Sequence, residues 1–115
     1  METMESILLS IKKMLGITAD YTHFDMDIIM HINSVFLILN QIGVGPAEGF
    51  SIYDETSTWE DFLEGNMNLE LVKSYMFMKV KLLFDPPLAS STNEAMNRLI
   101  AESEWRLYLA MDMEE

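Results

Sequence analysis

Two histidines, a close pair of aspartates and no cysteine are what this 115-residue chain offers for chemistry. Asp25-x-Asp27 has the look of a metal-binding carboxylate pair, but residues two apart on a helix do not face each other. In the first turn of a helix the same pair suits the N-terminal dipole. His23 and His31 are too far apart for the i, i+4 spacing of a helical zinc pair. His31 follows Asp27 by one turn and reads as its structural partner. Without cysteine there is no disulfide, thiolate zinc site or cysteine nucleophile, and a reducing compartment is expected. No phosphate-cradling glycine loop, serine elbow or plausible triad occurs. We therefore expect no catalytic residue, metal or cofactor, and look for function in surfaces.

The elements that carry those surfaces are helical. Ile7, Leu8, Ile11, Met14 and Leu15 share one face of a helix expected over 4–15, with Lys12 and Lys13 in its last turn and Gly16 as its cap. A second helix, 24–42, is apolar nearly all round and reads as the buried centre. It is too short and too polar to span a bilayer. Residues 43–57, GVGPAEGFSIYDETS, break the pattern. Phe50, Ile52 and Tyr53 there predict a projecting loop or β-hairpin arm. Thr58–Leu63 predicts one short turn capped by Ser57 or Thr58. A fourth segment, 68–84, has two apolar stripes and so needs neighbours on two sides.

The segment ends hard at Asp85-Pro86-Pro87. A residue before proline avoids the helical region, and each proline lacks an N–H and has a fixed φ. Ser91-Thr92-Asn93-Glu94 matches a capping box, which predicts a last helix from 92 to about 110. Met96, Ile100, Leu107 and Met111 line one side of it; Ala101, Trp105, Tyr108 and Leu109 line another. The stiff joint is expected to aim this helix outward. Of the 11 methionines, Met26, Met30, Met76, Met78 and Met96 are expected to fill core gaps. The fold class is all-α: one domain with a 1–84 helical core, an 85–91 joint, a 92–111 helix and a 112–115 tail.

Charge narrows the partners. The net charge is −12, and no Lys or Arg occurs between Lys13 and Lys73. Most of the surface should repel nucleic-acid phosphate, which argues against sequence-specific DNA binding. METMESILLSIKK lacks a basic leader ahead of its apolar run, so no signal peptide is expected. Basic groups at 12–13 and 73–81 are expected to meet acidic groups 48–64 of a neighbouring copy.

Five segments taken together resemble a known family. They are KKMLGI at 12–17, DIIMHINSVFLILNQIGVGP at 27–46, TWEDFL at 58–63, VKSYMFMKVKLLFDPP at 72–87 and EWRLYL at 104–109. In order and spacing they are similar to the small head–tail connector (adaptor, head-completion) proteins of tailed bacteriophages. The resemblance implies a non-enzymatic virion protein of the neck, assembled in the host cytoplasm. It implies a homo-oligomeric ring, typically twelve-fold, beneath the portal protein. That ring extends the DNA channel and forms the platform for a neck or tail-completion protein. DNA would pass through without specific binding, and no membrane is involved. The resemblance places portal or subunit contacts in the C-terminal part, and with the joint this makes Pro86, Pro87, Trp105, Arg106, Tyr108 and Met111 the candidates. In the loop, Glu48, Phe50, Ile52, Tyr53, Asp54 and Glu55 are candidates for the channel or the next ring. Two other readings stay open: a tail-completion or other neck ring protein, and a small acidic regulator of a host protein.

Overall fold

The computed structural model describes residues 5–63 and 69–113. They form five helices and no strand: α1 (Ile7–Leu15), α2 (Asp25–Ile42), α3 (Trp59–Phe62), α4 (Leu69–Phe84) and α5 (Ser90–Met113). The all-α expectation holds. The expected starts of the first and fourth helices, Met4 and Asn68, lie outside the described residues, as do Glu114 and Glu115.

Local chemistry sets the helix ends. The Ser6 hydroxyl accepts from the Leu9 amide and starts α1. Gly16, at φ 85°, takes the left-handed conformation that closes it. Thr58 and Asp61 form a reciprocal capping box on α3. The entries to α1 and α3 are tied together, because the Ile7 amide donates to the Ser57 carbonyl and the Trp59 amide to that of Glu5.

α2 runs through the middle, with Ile28, Ile32, Val35, Phe36 and Leu39 buried. Ile7, Leu8 and Ile11 of α1 and Val72, Tyr75, Met76 and Val80 of α4 join the same core. Trp59 is wholly buried, and its indole N–H donates to Ser10 Oγ at 2.8 Å. Each buried aliphatic side chain contributes about 1.5–3 kcal/mol, so this core carries most of the fold's stability.

The structure corrects four expectations. Residues 43–57 are neither a hairpin nor a projecting arm; they form a strap folded back on α2. Asn33 does the work of a missing strand: its Nδ2 donates to the Ile52 carbonyl at 2.9 Å, and its Oδ1 accepts from the Ile52 amide at 2.8 Å. Phe50 packs edge-on against Phe36 and Phe62. α5 begins at Ser90, so Ser91 lies inside the first turn, and it runs past Ala110 to Met113. The methionines divide: Met76 is buried, Met78 and Met96 are partly so, but Met26 and Met30 are exposed. Finally, α5 does not leave the body. It turns back along α4, where the Tyr75 hydroxyl donates to Glu104 at 2.7 Å, and Met111 ends beside Gly43.

Candidate interaction surface

The joint between α4 and α5 is held from both sides. The Asp85 amide makes the last helical bond, to the Lys81 carbonyl, and the Lys81 ammonium pairs with the Asp85 carboxylate at 3.0 Å. Pro86 and Pro87 then offer no N–H to continue the helix. Asn93 reaches back from α5 and donates to the Pro87 carbonyl at 2.7 Å. Pro86 is exposed, Pro87 half-buried, and Leu88 fully exposed at the corner.

This turn rotates α5 so that one narrow stripe meets the body. Ile100, Ser103 and Leu107 are buried, with Met96 and Met111 packed at their margins. The opposite side keeps Trp105 60% and Tyr108 56% exposed, which is far above what a core indole or phenol shows. Their rings stack with centroids 6.3 Å apart. Arg106 lies alongside, bonded to Glu102 one turn back at 2.6 Å. The Trp105–Tyr108 face borders a groove whose far wall is Ile38, Gln41 and Ile42 of α2. Trp, Tyr and Arg dominate protein interfaces, so the composition of this face fits a docking surface. Of the candidate residues of the C-terminal part, Trp105 and Tyr108 come together here, Arg106 lies on another flank of α5 against Glu102, Met111 faces the body, and the two prolines sit at the other end of the helix.

The loop candidates divide likewise. Ile52 is buried and Phe50 is packed inward, so neither is free to touch a partner. Glu48, Tyr53, Asp54 and Glu55 are exposed. Thr56 donates to Asp54 from its hydroxyl and its amide, and these bonds hold the Asp54 carboxyl below the usual carboxylate range.

Most of the basic groups expected to reach a neighbour are occupied within the chain. Lys12 is entirely buried; its ammonium donates to the carbonyls of Ala19 and Tyr21 and pairs with Asp25 at 2.8 Å. Nothing in the sequence spacing signalled this, because the two carbonyls come from a loop. Lys73 pairs with Glu5 and Glu70. Partial burial opposes its charge, but those carboxylates outweigh it and raise the ammonium above its ordinary value. His31 lies edge-on to Phe84, with no hydrogen bond to Asp27 among the described residues. Among those residues no cluster of three or more His, Asp or Glu could hold a metal, and no helix is long and apolar enough to cross a membrane.

A helical body that turns an aromatic, arginine-bearing helix face to solvent is built like a subunit of a larger assembly. Residues 7–114 match the model of the phage connector protein family, and the chain belongs to that family. Its role is structural, as a phage head–tail connector. No curated protein and no solved structure matches it.

Proposed function

We infer that the chain forms a ring, twelve-fold like the portal, beneath the portal protein of a tailed phage. The ring extends the DNA channel and gives the neck or tail-completion protein its platform. The observation that carries this reading is the exposed Trp105–Tyr108 face on a chain of the connector family. Left in water, that face costs free energy that docking would recover. A surface rich in carboxylates suits a wall past which DNA must slide without adhering. The α5 face, with the Pro86-Pro87 corner, would contact the portal or an adjacent subunit. The exposed strap residues Glu48, Tyr53, Asp54 and Glu55 would face the channel or a neighbouring component. The helical fold favours this reading over a β-rich tail-completion protein. The acidic-regulator reading predicts a protein absent from virions.

Deleting the gene and imaging the particles tests the function. Full or leaking heads beside separate, complete tails are the expected result. Normally joined virions would exclude it.

A further inference from the structure

We propose that the outward face of α5 docks on the α2–strap groove of a second copy of the same chain, resting on the connector reading above. Charge selects this occupant. The chain has only seven basic residues against nineteen acidic ones, and both arginines lie on α5. Arg98 sits two turns before Trp105 on the same face, and Arg106 one turn before Leu109. Arg98 has no ion pair among the described residues, and Arg106 has only an exposed pair within its own helix. Lys12, Lys73 and Lys81 are taken by Asp25, Glu5 and Asp85. Lys13 and Lys79 stand apart, on α1 and α4.

The complementary surface is on the same molecule. A groove between α2 and the strap is lined by Leu37, Tyr53 and Glu48 together with Asn33, Asn40 and Ser51, and the exposed Asp54 and Glu55 follow Tyr53 in the chain. Leu37 is 61% exposed and Tyr53 81% exposed, so the groove offers two apolar anchors within an otherwise largely polar lining that carries Glu48. The α5 face offers aromatic surface rimmed by guanidinium groups. Two different patches meeting head to tail make a heterologous contact, which closes into a ring when the rotation permits. A charged rim of this kind also fixes register.

The chain has no cysteine, so single introduced thiols report the contact without background from the chain itself. Particles are assembled with a mixture of Tyr53→Cys and Tyr108→Cys chains and treated with a short bismaleimide. Both sites are solvent-facing, and Glu55→Cys with Leu109→Cys provides a second pair should either variant misfold. A covalent dimer of this chain from the mixture, and from neither variant alone, is the expected result. Changing Arg98 and Arg106 to Glu should abolish the dimer, and changing Asp54 and Glu55 to Lys in the other copy should restore it. Two results overturn the proposal while leaving the connector role intact: chain present in particles with no dimer, or the Tyr108→Cys chain linked to the portal instead. Particles that lack the chain altogether would remove the connector reading, and this proposal with it.

Discussion

Lys12 shows how much one side chain can hold. Its ammonium joins the end of α1 to the loop before α2 and to the first residue of α2. Lys12→Met should cost about 3 kcal/mol, the scale for removing one member of a buried pair. Urea unfolding measures it, and a loss under about 0.5 kcal/mol, the range of ordinary surface substitutions, would show the pair to be incidental. Tyr75 makes a different prediction. Burial, then its bond to Glu104, pushes the phenol above its ordinary value. A folded-state value raised above the unfolded one means the folded chain keeps a proton the unfolded chain releases. The associated stability is therefore complete below about pH 10 and falls as pH rises beyond it. Tyr75→Phe should be less stable by about 1–2 kcal/mol at neutral pH, with the Tyr75-linked part of the alkaline decline removed. Thermal unfolding between about pH 8 and 11, either side of the ordinary phenol range, checks both. The sequence exposes little at this scale: Lys12 looks like a cation suited to a helix C-terminus, because its real acceptors are backbone carbonyls without a residue signature.

At the scale of elements, periodicity carried the helices, and conformational detail carried the rest. Most of the stripe residues of α1, α2 and α4 and the turn at Thr58 stand in the structure where apolar spacing and capping residues put them, but Met14, Leu37 and Leu83 are exposed. The strap does not follow from its own residues. Phe50 and Ile52 alternate with Ser51 as in a strand, but one side chain on another element, Asn33, supplies the pairing at Ile52. Asn33→Ala should cost about 2 kcal/mol, the sum of two modest hydrogen bonds. It should speed hydrogen exchange at the Ile52 amide; unchanged protection there would mean that Phe50 and Ile52 packing alone holds the strap. The Pro-Pro joint is legible as a helix break but not as a reversal, because direction depends on which face of α5 the core accepts. Changing Pro86 and Pro87 to Ala should lower stability by only about 1–2 kcal/mol in total, through the unfolded chain. It should reduce head–tail joining far more, and joining at the wild-type level would exclude a positioning role for the joint.

Over the whole molecule, the distribution of charge and of exposed apolar surface matters more than any single site. A net charge of −12 makes copies of the chain repel one another and repels nucleic-acid phosphate. In the proposed ring, contact must rest on apolar faces strong enough to overcome that repulsion, and the exposed Trp105–Tyr108 face is the chief candidate. The candidate site was half legible. Trp105, Arg106 and Tyr108 come from the family resemblance, and the spacing that groups Met111 with Met96, Ile100 and Leu107 already marks its inward side, whereas the inward placing of Phe50 and Ile52 depends on contacts with distant elements. The proposed function requires that this chain join head to tail through that face. Purified protein can be added to an extract of the gene-deletion mutant, with its filled heads and free tails, and the infectious particles counted. Joining should be restored by the wild-type chain and hardly at all by a Trp105→Ala/Tyr108→Ala variant of equal helicity. No restoration by the wild-type chain, or full restoration by the double variant, would refute it.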